Sequence, residues 1–121
     1  MAAPNIVNVT TITGKSAAME VTTTATDLVT NDSDSGKVIK LNALYVANVD
    51  GTNAAGITTS VMKAGTNNRT ERFLTYTITV PADSTMEIIN KPIYLEEGDS
   101  LRLLASSDSD LHAICSYEEI S

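Results

Sequence analysis

The sequence predicts an all-β fold built as a single antiparallel β-sandwich, and three observations predict it. Residues 73–80 (FLTYTITV) alternate strictly, with Leu74, Tyr76, Ile78 and Val80 on one side and Phe73, Thr75, Thr77 and Thr79 on the other. A period of two marks a strand with one buried face. Short apolar runs then recur at roughly ten-residue spacing, bounded by Gly, Pro, Asn, Asp or Ser. Threonine is abundant while Lys and Glu are few, a composition that penalises long helices and suits polar sheet surfaces.

Taken in order, residues 6–12 (IVNVTTI) form a first strand with Val7 and Val9 on one face, and Gly14, Lys15 and Ser16 make a turn. Residues 19–29 form the next strand. Met19, Val21, Thr23 and Ala25 share one of its faces, and Glu20, Thr22, Thr24 and Thr26 share the other. Four threonines within 22–26 argue against a helix there. Residues 31–36 (NDSDSG) are a polar loop closed by glycine.

Residues 37–49 make the longest strand. Ile39, Leu41, Ala43, Tyr45, Ala47 and Val49 form an apolar face, while Val38, Leu44 and Val46 share the other face with Lys40, Asn42 and Asn48. Such a strand is either central in its sheet or covered by an external partner. Asp50-Gly51 signals a hairpin, after which residues 57–63 pair back and residues 64–70 form a polar loop.

The 73–80 strand ends at Pro81, which cannot donate to a ladder. Three more strand pieces follow, around Met86 to Ile89, Ile93 to Leu95 and Leu101 to Ala105. Pro92 and the acidic turn at residues 96–99 separate them, and the whole stretch reads as a meander. Residues 106–110 turn again, and residues 111–120 close the chain as a last strand. Eight to ten short strands fit a sandwich of jelly-roll or Ig-like topology. The expected organisation is an N-terminal arm over residues 1–5 and one sandwich domain over residues 6–121.

At 121 residues, one such domain buries roughly 65% of its unfolded surface and folds without metals or disulfides. The single cysteine, Cys115, has no internal partner and reads as a small buried apolar residue. A net charge of −7 argues against nucleic acid or an anionic membrane as partner. No apolar run approaches the roughly twenty residues of a membrane span. The first residues lack the charged start and apolar block of a secretory signal, so synthesis in a cytoplasm is expected.

No catalytic residue and no cofactor is assigned, and the chain is read as a non-enzyme. It offers one histidine, His112, and no glycine-rich phosphate loop. The neighbouring carboxylates Glu96/Glu97 and Glu118/Glu119 point to opposite faces of their strands. Asp32 with Asp34, Asp50 with Asn53, Glu97 with Asp99, and Asp108 with Asp110 are oxygen pairs in turns. Calcium takes roughly six to eight oxygens and none of these loops has a calcium-loop spacing, so no metal ligand is assigned. Asn8, Asn31 and Asn68 stand in glycosylation-type triplets, which chance explains in a chain rich in Asn and Thr. With five aromatic residues in all, stacking surface for sugars is scarce.

The segments VPADSTMEIINKPIYLEEGDSLRLLASS (80–107) and SYEEIS (116–121) combine a VPA turn, a GDSLRL turn, an AS loop and a final YEEI strand. This frame, with the opening MAAPNIVNVTTITGK and the segment LNALYVANVDGTNAA, resembles small β-sandwich virion structural proteins of marine and cyanobacterial tailed phages. The resemblance implies synthesis in a host cytoplasm and assembly onto a virion. Its leading implication is a capsid decoration or cement protein, bridging major capsid subunits in many copies as a homo-oligomer such as a trimer. The alternative is a receptor- or glycan-binding module on a tail, neck or fibre, with loops 31–36 and 65–70 as the contact. For decoration, the expected partner contacts are the arm (Met1, Ala2, Ala3, Pro4 and Asn5) and the mixed face of the long strand (Val38, Leu44 and Val46).

Overall fold

A computed structural model describes residues 10–66 and 68–121. Nine strands lie among them: β1 (Ile12–Val21), β2 (Thr26–Thr30), β3 (Val38–Asn48), β4 (Ala55–Lys63), β5 (Thr70–Val80), β6 (Thr85–Ile89), β7 (Ile93–Leu95), β8 (Ser100–Ala105) and β9 (Leu111–Ile120). The first sheet runs β1-β9-β3-β6, with β7 also on β3; the second runs β2-β8-β4-β5. All pairings are antiparallel. The expected sandwich is therefore the observed fold.

The pairs β4·β5, β3·β6/β7, β2·β8 and β1·β9 nest inside one another. That nesting is what one long hairpin gives when its two arms are rolled up together, the jelly roll. Of the two topologies open from sequence, the structure thus has the jelly roll. It also replaces the expected meander, because β5 and β8 lie in the second sheet while β6 and β7 lie in the first.

Rolling up the hairpin means that most connections cross between sheets, and several expected turns change accordingly. Gly14, Lys15 and Ser16 do not turn; they sit within β1 opposite Glu118, Tyr117 and Ser116 of β9. A ladder to a distant strand outweighs a weak local turn signal. The expected strand over 19–29 instead breaks after Val21. Thr22 Oγ1 accepts the Thr24 N–H at 3.3 Å, and the Thr23 N–H is donated to Asp108 Oδ1 at 2.8 Å. Threonine hydroxyls can close turns as readily as they decorate strands. Asp50-Gly51 turns the chain, but into the other sheet, so β3 and β4 are not a hairpin. Asp50 Oδ1 accepts the N–H groups of Thr52 and Asn53, at 2.8 and 3.1 Å.

Pro81 and Pro92 act as expected. Pro81 follows the last residue of β5, and Pro92 separates β6 from β7, both of which lie on the β3 edge. Between the sheets lies the core, with Val21, Leu41, Leu44, Val46, Ile57, Val80, Leu95, Leu101, Leu103, Leu111 and Ala113 fully buried. Cys115 is buried among them, as the sequence indicates.

Two strands depart from plain alternation. In β3 the register against β9 slips between Leu41 and Ala43, which leaves Asn42 as an extra residue. Odd-numbered Ile39 and Leu41 face inward before this bulge, and even-numbered Leu44, Val46 and Asn48 do so after it. In β5 the register against β4 slips twice, so that Phe73, Leu74, Tyr76 and Ile78 are all exposed and Val80 alone reaches the core. The expected buried face of 74, 76, 78 and 80 is thus broken up, because each bulge on this edge strand re-aims the side chains beyond it.

Candidate interaction surfaces

The expected contact residues divide in two. Met1, Ala2, Ala3, Pro4 and Asn5 lie outside the described residues. Val38, Leu44 and Val46 are core residues, exposed by 6, 0 and 0%. The bulge at Asn42 turns Leu44 and Val46 inward, and β3 is a central strand. They cannot offer a surface to a neighbour while the fold is intact. The same bulge puts Tyr45 and Ala47 on the outside instead.

Those side chains belong to a continuous outer face. Ala18 on β1, Ile114 on β9, Tyr45 on β3 and Glu87 on β6 stand side by side across four strands. Ile114 and Tyr45 are exposed by 53 and 43%. The next row is Glu20, His112, Ala47 and Thr85, with His112 Nε2 at 3.8 Å from Glu20 Oε2. A row further toward the other end carries charge. Lys40 Nζ lies 3.9 Å from Glu118, while Glu119 holds Lys15 at 3.0 Å and Lys37 at 3.3 Å. The Lys15 hydrogen bond, then the Lys37 pair, hold the Glu119 carboxyl below its ordinary value. Glu118 and Glu119 therefore serve different cations and do not converge on one point.

The outer face of the second sheet has a different relief. The bulges in β5 fold Phe73 and Tyr76 over the sheet as an edge-to-face pair, with ring centroids 5.0 Å apart. Beneath them runs a groove of about 260 Å³ lined also by Thr58, Ser60, Glu71, Thr77, Arg102 and Leu104. Ser60 Oγ donates to Glu71 Oε2 at 2.6 Å, and Arg102 Nε donates to Asp27 Oδ1 at 2.9 Å. Thr77 has a φ of 49°, in the left-handed region. For a β-branched residue that conformation costs roughly 1–3 kcal/mol. It is held by the Thr77 N–H, donated to Thr58 Oγ1 at 2.9 Å.

The turn carboxylates are engaged locally. Asp99, exposed by 1%, accepts the N–H groups of Ala64 and Glu96 at 2.8 and 2.9 Å and pairs with Lys63 Nζ at 2.5 Å. Asn31 is buried nearby and donates to the carbonyls of Lys37 and Leu95. Glu97 accepts the Gly36 N–H, and Asp110 the Ser107 hydroxyl. The contacts of Asp99, Asn31 and Glu97 stitch loops together at one end of the sandwich, and Ser107–Asp110 closes a single turn at the other. No group of three His, Cys, Asp or Glu able to hold a metal ion comes together among the described residues. Burial pushes the Cys115 thiol up to about 11. Among the described residues, no helix is long and apolar enough to cross a membrane.

No protein-family model and no curated protein matches the chain. Solved structures do share its fold. One is from work showing that Bacillus endospore appendages form a family of disulfide-linked pili: 18% identity over 92% of this chain and 88% of that one, TM-score 0.50. Two others come from infectious bursal disease virus. The T13 viral particle matches at 7% identity over 93% of this chain and 31% of that one, TM-score 0.53. The Gx strain matches at 11% identity over 93% and 33%, also with TM-score 0.53. This chain thus spans about a third of the length of those viral chains. At such identities the likeness is one of fold, and that fold occurs in both a viral particle and a pilus.

Proposed function

We infer that the chain is a non-catalytic virion structural protein of a tailed-phage particle, a decoration or cement protein seated on the outside of the major capsid lattice. The observation that carries this reading is the outer face of the first sheet. Ala18, Ile114, Tyr45 and Ala47 form an uncharged centre to that face, ringed by Glu20, His112 and Glu87, with the Lys40–Glu118 pair toward one end. A wide face with a modest apolar centre suits contacts that are weak singly and stabilise a shell when repeated many times. The fold shared with viral-particle chains and the resemblance of the sequence frame to phage virion proteins both favour it.

A disulfide-linked filament is less well supported. Cys115, the chain's one cysteine, lies in the core with its thiol pushed up to about 11, and a thiol must be accessible and ionised to exchange.

Quantitative mass spectrometry of purified particles tests the reading. High copy number, matched to the capsid lattice, is expected; presence at the copy number of a tail part, or absence, would overturn it. On particles stripped of the protein, Ile114→Glu should abolish rebinding at unchanged thermal stability.

A further inference from the structure

We propose that the groove on the outer face of the second sheet is a binding site for one ring of a neutral saccharide. Three observations, independent of the virion reading, lead there. The first is where the aromatic rings are. Of five aromatic residues in the chain, Phe73 and Tyr76 lie together over this groove, and Tyr76 is 67% exposed. A large ring held at the surface by one edge-to-face partner presents an apolar face with a polar tip. The C–H face of a pyranose is complementary to it.

The second is the chemistry of the floor. Thr58, Ser60 and Thr77 bring hydroxyls, Glu71 a carboxylate acceptor and Arg102 a guanidinium. Arg102 uses Nε on Asp27, and its two Nη groups have no hydrogen-bond partner among the described residues. They present a planar fork of donors in the groove that the Glu71 acceptor also lines, which is what neighbouring sugar hydroxyls need, since each can both donate and accept. Glu71 and the charge of −7 disfavour an anionic sugar. The groove, about 260 Å³, is smaller than the roughly 300 Å³ at which drug-sized sites begin. It has room for one ring.

The third is the backbone. Both bulges of β5 fall where Phe73/Leu74 and Tyr76/Thr77 are, and Thr77 is held in the left-handed region by Thr58. Without these bulges, plain alternation would put Phe73 and Tyr76 on opposite faces of the strand. Bulges gather next to functional sites because they re-aim side chains, and left-handed non-glycine residues gather at ligand clamps.

The sequence had placed any sugar contact in the loops at one end, on a chain short of aromatic rings. The structure concentrates two of those rings on a sheet face.

The test is a titration of the full-length ¹⁵N-labelled protein with glucose, galactose, mannose, rhamnose and N-acetylglucosamine, and with glucuronic acid for comparison. At least one neutral sugar should give saturable shifts at Thr58, Ser60, Phe73, Tyr76, Thr77 and Arg102. Binding in the millimolar range is expected for so small a contact. Tyr76→Ala and Arg102→Met should each weaken it at least tenfold, with the remaining spectrum unchanged. Because the Tyr76 ring is exposed, its removal should leave the fold intact; retained melting temperature checks this. The proposal is overturned by any of three results. These are no saturable shift with any neutral sugar, stronger binding of glucuronic acid, or shifts at these residues that follow protein concentration instead of sugar, which would mark the groove as a contact between copies.

Discussion

Leu41 and Leu44 are both fully buried in the same strand although they stand three positions apart. In an unbroken strand they would face opposite ways. The extra residue, Asn42, between the paired positions Leu41 and Ala43 reverses the parity of everything after it. This one bulge decides which side chains of β3 are core and which are surface.

Leu44→Ala should therefore destabilise the protein by about 2–5 kcal/mol, the usual cost of truncating a buried leucine. Tyr45→Ala, on the outer face, should cost less than about 1 kcal/mol. Urea midpoints of the two variants check this. Plain alternation from Ile39 predicts the reverse order.

Glycine substitutions at Thr77 and Thr79 should have opposite signs. Both positions are exposed in β5, but only Thr77 has a positive φ. Thr77→Gly relieves the strain but raises the chain entropy of the unfolded state, for a net gain of about 0.5–1 kcal/mol. Thr79→Gly bears only the entropic cost and should lose about 1 kcal/mol. Thermal melts of the two variants side by side would show it.

Asp99 closes the loop end of the sandwich. Asp99→Ala leaves the N–H groups of Ala64 and Glu96 without their acceptor and the Lys63 ammonium with Glu96 alone. The expected loss is about 3 kcal/mol. Lys63→Ala should cost less, because Asp99 keeps both backbone donors. Chemical denaturation of the two variants would expose the difference.

Stability should fall at both ends of the pH scale. Asp50 is held below its ordinary 3.8 by the Thr52 and Asn53 N–H groups, and Glu119 below 4.5 by its lysines. Groups depressed in this way stabilise the fold above their unfolded values, and the contribution is lost as pH falls below about 4. In the alkaline range the signs reverse. Cys115 is raised by burial from 9.0 to about 11. Lys15 is raised above 10.5 by its hydrogen bond to Glu119; burial opposes the rise at Lys63, but Asp99 and Glu96 outweigh it. Groups raised in this way contribute fully below their unfolded values, and the contribution is lost as pH climbs through the folded ones. Melting temperatures from pH 3 to 11 should therefore fall below about 4 and again above about 9. In Cys115→Ala the first part of the alkaline fall should shrink.

Much of the fold is legible in the residues. Pro81 directly follows a strand and Pro92 lies between two, the polar loop at 31–36 is a loop, and residues 111–120 are the last strand. The surfaces are not legible. Thr22 to Thr26 suit a strand or a turn, and the turn is fixed by the Thr22 hydroxyl on Thr24 together with the distant Asp108 carboxylate, donated to by Thr23. Phe73 and Tyr76 are odd and even members of one alternating run, yet two bulges bring their rings together. Val38, Leu44 and Val46 read as half-exposed and are core.

The sequence by itself determined the class: threonine-rich, period-two segments punctuated by Gly and Pro bury their apolar faces most readily as stacked antiparallel sheets. Tertiary structure decided the pairing order, the parity of each face and hence every candidate surface. The physical reason is that alternation records only that one side of a strand is buried. Which side that is depends on register against a strand such as β9, some seventy residues from β3 along the chain, and a single unpaired residue reverses it.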